Sequence, residues 1–120
     1  MREIKFRAWH KNRKTFLDFY WAVDKLGRTF SILDKYVYDE FTDEIELMQY
    51  TGLKDMNGRD IYEGDVVEFE VSLTRTKAEV KYSRNQFIVS MNSVMPRSLD
   101  LYLVKIIGNK FENPELLEAE

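Results

Sequence analysis

The sequence is dominated by short segments in which polar and apolar residues alternate. Residues 3–9, 44–50 and 77–82 show the pattern most clearly. Because successive side chains of a strand point to opposite faces, a period of two predicts half-buried β-strands. Turn signals separate the segments about every 8–12 residues, which favours a barrel or a sandwich of short antiparallel strands. The chain is therefore predicted to be mainly β.

The elements predicted from residue 65 onward come in the order of an SH3-like barrel. They are a strand at 65–72, a variable loop at 72–76, hairpin strands at 77–82 and 87–91, and a final strand at 99–107. A barrel this small closes its edges and fills its interior with alternate side chains. We therefore predict a small SH3-like, partly open β-barrel with an added N-terminal antiparallel β layer and a short C-terminal helical turn.

A chain of 120 residues fits one domain. The predicted single domain, 1–120, has an N-terminal β layer at 1–50, a Gly-rich connecting loop at 51–64, a barrel-like core at 65–108 and an acidic tail at 109–120. The helical turn is expected in this tail, where Asn113 would cap the helix with its side chain and Pro114 fits the first helical position.

Cysteine is absent, which excludes disulfides, thiolate zinc sites and cysteine nucleophiles. The first ten residues are charged and alternating, so we expect no signal peptide. The apolar runs are far shorter than the ~20 residues that span a bilayer. We therefore expect a soluble, cytoplasmic protein without membrane contact.

Charge is arranged in blocks behind a net charge of −3. Residues 36–70 carry 2 basic and 11 acidic side chains, whereas residues 71–107 carry 6 basic and 2 acidic ones. Opposite blocks of this size can pair within one chain or between copies, although folding can also interleave them into an ordinary mixed surface. The blocks are one reason to expect contacts between protein molecules.

Three blocks of the sequence resemble the YopX family. They are the opening 1–9, the central 48–55 with 57–58 and 61–67, and the closing 107–109 with 112–117. Members of that family are encoded by phages and prophages, chiefly of Gram-positive bacteria, and their activity is unassigned. The resemblance implies a phage or prophage accessory protein that forms a homo-oligomer in the cytoplasm of its bacterial host. A host or phage protein is a further candidate partner.

The central run, Tyr50–Val67, is the most specific of these blocks. Its glycines are interpreted as turn residues. Leu53, Ile61 and Tyr62 are expected to dock the run on the core. This structural interpretation covers Tyr50, Gly52, Leu53, Asp55, Asn57, Gly58, Ile61, Tyr62, Gly64 and Asp65.

Four carboxylates in the same run allow an alternative interpretation as a hard-cation site. They belong to Asp55, Asp60, Glu63 and Asp65. An EF-hand loop needs a carboxylate at its first position and glycine at its sixth, and placing Gly58 sixth puts Leu53 first. The template fails, so we expect no metal and no cofactor, and a metal-dependent enzyme is the second alternative for function.

Catalytic constellations are not evident in the sequence. The single histidine, His10, precedes a basic stretch at 11–14 and is expected to be a solvated turn residue. Serine and threonine residues occur without an accompanying histidine, so no nucleophile triad can be assembled. We therefore expect no catalytic residues and a protein that is not an enzyme.

A basic and aromatic stretch at 75–87 is the candidate for nucleic-acid contact. Its basic residues are Arg75, Lys77, Lys81 and Arg84. Small barrels bind single strands by stacking bases on aromatic side chains along a basic groove. The acidic net charge argues against this use. Nucleic-acid binding is therefore the first alternative to a homo-oligomeric accessory protein that acts through protein–protein contacts.

Overall fold

Strands dominate the computed structural model, which describes residues 3–33, 36–83, 85–91 and 94–117. In chain order they are β1 (Phe6–His10), β2 (Thr15–Phe16), β3 (Trp21–Val23), β4 (Thr29–Leu33), β5 (Tyr36–Glu40), β6 (Ile45–Lys54), β7 (Asp60–Tyr62), β8 (Asp65–Val71), β9 (Thr74–Ser83), β10 (Gln86–Met91), β11 (Val94–Ser98) and β12 (Lys105–Asn109). Short 3-10 turns lie at Thr42–Glu44, Leu99–Leu101 and Pro114–Leu117. The prediction of a mainly β protein is confirmed.

The chain folds into two compact units. The larger unit comprises Met1–Phe6 and Met48–Glu120, and the smaller unit comprises Arg7–Leu47. Within the described ranges, no helix has the length and apolar character needed to cross a membrane. The proposed division of one domain at residues 50, 64 and 108 stays a prediction, except that residues 51–64 include strand and are not a connecting loop alone.

A five-stranded antiparallel sheet forms the body of the larger unit, in the order β11-β10-β9-β8-β12. The sheet curls into a half-barrel. Alternate side chains of its strands are buried together because of the period-two pattern. Val67 lies opposite Ala78, and Val80 opposite Val89. All four belong to one apolar core. The narrower assignment to an SH3-like barrel stays a prediction.

The connection between β8 and β9 is tighter than expected. Val71 pairs with Thr74, so Ser72 and Leu73 alone form the turn, with φ angles of +51° and +70°. The predicted variable loop at 72–76 is therefore wrong. Two successive positive φ angles suit the twist of a tight hairpin, but the usual residues there are asparagine and glycine. That signal is missing at positions 72 and 73.

The C-terminal part of the larger unit also differs from the prediction. Residues 99–101 form a 3-10 turn, and the strand covers only Lys105–Asn109. The predicted strand at 99–107 is corrected accordingly, and β11 was not predicted. Alternating leucines indicated a strand, yet Leu103 is 76% exposed whereas Leu99 is buried.

The C-terminal helical turn is confirmed at Pro114–Leu117. The side chain of Asn113 acts differently from the predicted cap. Its Oδ1 accepts the backbone N–H of Asn109 at 3.2 Å, and its backbone oxygen accepts the N–H of Leu116 at 3.1 Å. The residue thus connects the turn to the end of β12.

The smaller unit contains a hairpin and a three-stranded sheet. In the hairpin β1–β2, Trp9 lies opposite Phe16, and their rings meet edge-on with centroids 4.9 Å apart. The sheet has the order β3-β4-β5. The aromatic stretch at 15–23 is divided between β2 and β3.

Candidate functional site

The central run forms a β-hairpin rather than the predicted connecting loop at 51–64. Strand β6 continues to Lys54, and β7 pairs with it through Tyr50 opposite Tyr62 and Lys54 opposite Asp60. The register shifts between these pairs, which marks a β-bulge. Gly52 lies in the shifted stretch with φ +85°, a conformation that glycine adopts without strain. The turn of this hairpin positions one wall of the groove described below.

Asp55 closes the hairpin turn with a buried carboxylate. Its Oδ1 accepts the backbone N–H of Asn57 at 3.0 Å and of Arg59 at 2.8 Å. Its Oδ2 accepts the N–H of Ile106, at the start of β12, at 3.1 Å. Burial alone would raise the pKa of Asp55, but the N–H groups of Ile106, Arg59 and Asn57 together hold that pKa below its usual range.

The same turn is tied to the chain just before β12. The backbone N–H of Met56 donates to the carbonyl oxygen of Val104 at 2.9 Å. Gly58 completes the turn with φ +82°, and its N–H donates to the carbonyl oxygen of Asp55 at 2.9 Å. The side chain of Met56, which is 56% exposed, is thereby held beside residues 102–105.

The other carboxylates of the run have separate partners. Asp65 Oδ2 accepts the N–H of Tyr62 at 2.9 Å, and Glu63 Oε1 accepts the N–H of Gln49 at 2.9 Å. Asp60 accepts hydrogen bonds from the Nζ atoms of Lys5 and Lys54, which together lower its pKa to about 2. The described ranges contain no group of three or more histidine, aspartate and glutamate side chains that could hold a metal ion. The structure therefore lends no support to the metal-site alternative.

A groove of about 620 Å³ opens in the larger unit where β12 begins. Lys105, the first residue of β12, pairs with Glu68, so β8 extends past β12 from Phe69 to Val71. The apolar residues that line the groove are Met56, Phe69, Tyr102 and Leu103, and the charged residues that line it are Glu68, Glu70, Arg75 and Lys105. We call this feature the β8 groove.

The apolar part of the β8 groove is partly solvated. The rings of Phe69 and Tyr102 are in contact, with centroids 4.6 Å apart and planes tilted by 34°, and Phe69 is buried in the core. Leu103 is 76% exposed beside them. Sequence reasoning missed Met56, Tyr102 and Leu103 as site residues because they come from distant segments whose meeting no local pattern signals.

Charges of both signs surround this apolar surface. Arg75 Nε lies 3.7 Å from Glu68 Oε1, and Arg75 is directly opposite Glu70 across β8 and β9. Lys105 is opposite Glu68 on the other side of β8. The groove therefore combines two acidic and two basic side chains around an apolar centre.

The candidate nucleic-acid residues lie on a mixed-charge face. Arg75, Lys77 and Lys81 are exposed on β9, and Lys77 lies opposite Glu68. Arg84 lies outside the described residues. Tyr82 and Phe87 do meet nearby, with ring centroids 5.1 Å apart. Glutamates on the neighbouring strand offset the basic groups that a phosphate backbone would require.

Comparison with known proteins identifies the family. The sequence model described as YopX protein matches residues 5–118. The chain belongs to the YopX family. Among curated proteins the search found no match.

Two solved structures are similar to the chain over nearly its whole length. Protein EF1440 from Enterococcus faecalis is 26% identical with a TM-score of 0.69, and the match covers 98% of this chain and 100% of that one. Protein yopX from Bacillus subtilis is 20% identical with a TM-score of 0.65, and the coverage is again 98% and 100%. The similarity to yopX from Bacillus subtilis supports a shared fold and nothing beyond the fold.

The residues that carry the YopX resemblance have distinct structural positions. Tyr50 and Ile61 are buried, the rings of Tyr50 and Tyr62 lie 5.6 Å apart, and the N–H of Gly64 donates to the carbonyl oxygen of Val80. Leu53 departs from its expected docking role because it is 36% exposed.

His10 is placed differently from its prediction as a solvated turn residue. Only 7% of it is exposed, at the end of β1 in the smaller unit. Its Nδ1 accepts the backbone N–H of Arg13 at 3.1 Å, and its Nε2 lies 3.4 Å from Glu44 Oε2. The basic residues that follow His10 indicated a solvated side chain. In the structure Glu44, more than thirty positions away in sequence, lies beside it.

Proposed function

We propose that this chain is a phage- or prophage-encoded accessory protein without catalytic activity, which acts through protein–protein contacts as a homo-oligomer. Its contact surface is the β8 groove, and the occupant is a second copy of the chain. The observation that carries the proposal is the exposed apolar surface of Met56 and Leu103 beside the contacting rings of Phe69 and Tyr102. The family resemblance supports the phage setting and a location in the host cytoplasm.

Apolar burial supplies the favourable free energy for this association. Removing apolar surface from water contributes about 25 cal/mol per Å², and a fully buried leucine contributes about 1.5–3 kcal/mol. Leu103 is mostly exposed in the single chain, so most of that contribution is available to a contact. Clustered exposed apolar groups with a polar rim are a common property of protein interfaces.

The charge arrangement favours a second copy as the partner. In a twofold dimer the same surface faces itself, so each acidic group can meet a basic group of the other copy. The β8 groove has both signs in equal number, with Glu68 and Glu70 near Arg75 and Lys105. A surface of one sign would repel its copy, whereas this one can pair with itself.

Substitution of Leu103 by aspartate tests the proposal. We expect the unmodified chain to exceed its monomer mass of 14.4 kDa in light scattering. We expect Leu103→Asp to weaken self-association by roughly tenfold or more, because it replaces apolar contact with a charge that must be desolvated. Sedimentation equilibrium at several concentrations measures the change.

Leu73→Asp is the matched control. It makes the same chemical change at a side chain that is 96% exposed but lies outside the groove, at the turn between β8 and β9. We expect this variant to associate like the unmodified chain. A monomeric unmodified chain, or equal effects of the two substitutions, would contradict the proposal.

Nucleic-acid binding gains no specific support over this function. Arg75 and Lys77 lie opposite Glu70 and Glu68. Binding of single-stranded DNA or RNA that weakens steeply with salt would be the result that favours the alternative.

A further inference from the structure

The smaller unit contains a cavity of its own, of about 300 Å³, which the proposed function does not use. Its lining includes two phenylalanine rings, two glutamates and the imidazole of His10. Arg13 and Ser31 complete it. A volume at the small end of the range for ligand sites suits a molecule of a few heavy atoms. We call this feature the His10 cavity.

The imidazole at the wall of the cavity has a fixed orientation. Because Nδ1 accepts the N–H of Arg13, the proton of the neutral ring is on Nε2. Nε2 lies 3.4 Å from Glu44 Oε2, which places the ring beside that carboxylate. The backbone oxygen of Glu44 accepts the N–H of Lys11 at 2.9 Å, which holds the glutamate beside the end of β1.

The second carboxylate of the cavity is also held in place. Glu40 Oε2 accepts the hydroxyl of Thr42 at 2.7 Å, and Thr42 Oγ1 in turn accepts the N–H of Thr29 at 3.0 Å. A carboxylate has about four acceptor positions. The contact of Glu40 with Thr42 and that of Glu44 with His10 therefore leave acceptor capacity at both carboxylates. The cavity thus presents two oriented acceptor groups.

Aromatic rings form the apolar part of the wall. The centroids of Phe19 and Phe41 are 6.0 Å apart, with the ring planes tilted by 31°. The face of an aromatic ring attracts cations through its quadrupole. Apart from the imidazole, the lining contains two glutamates and one arginine, an excess of one negative charge.

We propose that the His10 cavity binds an alkylammonium group. The ammonium donates to the carboxylates of Glu40 and Glu44, and its short carbon chain lies against Phe19 and Phe41. A free small amine and the lysine side chain of another protein share this chemistry. The proposal stands apart from self-association through the β8 groove.

Titration of the full chain with n-butylammonium tests the proposal by nuclear magnetic resonance. The sequence contains one histidine, so the imidazole carbon–hydrogen signals belong to His10 alone. We expect a saturable shift of these signals with half-saturation near 1 mM, a weak affinity that suits a small ligand. Butan-1-ol, which has a similar chain without the charge, should give no saturable shift.

Two substitutions locate the site. Glu40→Gln and Glu44→Gln should each weaken butylammonium binding by roughly tenfold, because each replaces a charged acceptor with a neutral one. Glu115→Gln is the control, since Glu115 is exposed in the C-terminal turn of the larger unit. It should bind like the unmodified chain.

A second titration distinguishes the sources of the ammonium group. Nα-acetyl-lysine methylamide replaces butylammonium as the probe. A shift with both probes supports a small-amine site, and a shift with the lysine derivative alone supports a lysine contact from a protein. The proposal is overturned if neither probe shifts the His10 signals, if butan-1-ol shifts them equally, or if both glutamine variants bind unchanged.

Discussion

Asp55 shows how much a single side chain decides in this fold. One carboxylate accepts three backbone N–H groups, two from its own turn and one from Ile106 on a strand far along the chain. These bonds must replace the water that burial removes, because an unsatisfied buried donor costs about 1–3 kcal/mol. The residue that the sequence offered as a metal ligand is thus an internal hydrogen-bond acceptor.

We predict that Asp55→Asn destabilises the larger unit by about 1–3 kcal/mol at neutral pH. The amide keeps one acceptor oxygen but turns an N–H₂ group towards an N–H donor. Urea unfolding measures the loss. Asp100→Asn is the control, because Asp100 is exposed, and it should change stability by less than about 0.5 kcal/mol.

The effect of Asp55→Asn depends on pH in a defined direction. Because the folded pKa lies below the ordinary value of 3.8, the carboxylate stabilises the fold fully above that value and loses its contribution as the pH falls through the folded pKa. The stability difference between the two proteins should therefore shrink in acid. A constant difference would contradict a role for the carboxylate's charge.

Among elements, the hairpin of β8 and β9 combines a regular ladder with a strained turn. Six residue pairs run from Val66–Glu79 to Val71–Thr74 without a register shift. The turn itself places a serine and a leucine at positive φ. Residues with a side chain adopt this conformation at a cost of roughly 1–2 kcal/mol each. The ladder of β8 and β9 therefore stabilises a turn whose own residues disfavour its conformation.

We predict that Ser72→Asn combined with Leu73→Gly stabilises the larger unit by roughly 1–2 kcal/mol, because asparagine and glycine accept both positive φ angles. The midpoint of thermal unfolding measures the gain. Leu73→Ala is the control, since it removes the same exposed side chain and keeps the strain. An equal gain from the alanine variant would show that backbone strain is not the cause.

Elements with local signals could be predicted from the sequence. The strands at 65–71 and 86–91 agree with their predicted bounds to within one residue. Their alternation reports burial directly, because one face of each meets a core. The turn at Ser72 and Leu73 was missed because neither residue is of a type that usually adopts this conformation.

The candidate sites could not be predicted, for a different reason. The β8 groove joins Met56, Phe69 and Leu103, and the His10 cavity joins His10 with Phe41 and Glu44. Each set comes from segments that are distant in sequence and become neighbours only through strand pairing. Local sequence patterns carry no information about contacts between distant segments. The side chain of His10 was therefore predicted to be solvated from its basic neighbours alone.

At the scale of the whole molecule, the acidic and basic blocks of the sequence come together within the larger unit. The acidic block that ends at residue 70 and the basic block that follows it lie on adjacent strands, where Glu68 faces Lys77 and Glu70 faces Arg75. The blocks therefore pair inside one chain. The groups at the rim of the β8 groove belong to the same arrangement and supply its two signs of charge.

Reversal of these charges tests their role in association. We predict that Glu70→Arg alone and Arg75→Glu alone each weaken the proposed self-association several-fold, because each gives the groove an excess of one sign. The double variant keeps both signs and should recover most of the affinity. Sedimentation equilibrium at low salt measures the three proteins.

Added salt supplies the control for this prediction. At about 1 M salt, where the screening length is about 3 Å, the differences among the three proteins should largely disappear. Differences that persist unchanged at high salt would point to altered packing rather than charge. Equal affinities at low salt would exclude the rim charges from the contact.

The bond between Asp55 and Ile106 also constrains the order of folding. It joins residues 51 positions apart, and β12 pairs with β8 across a comparable separation. Contacts this distant require closure of a long loop before they form, which slows folding relative to local structure. During synthesis the central hairpin leaves the ribosome long before β12, so the larger unit can reach its native state only after β12 has been made.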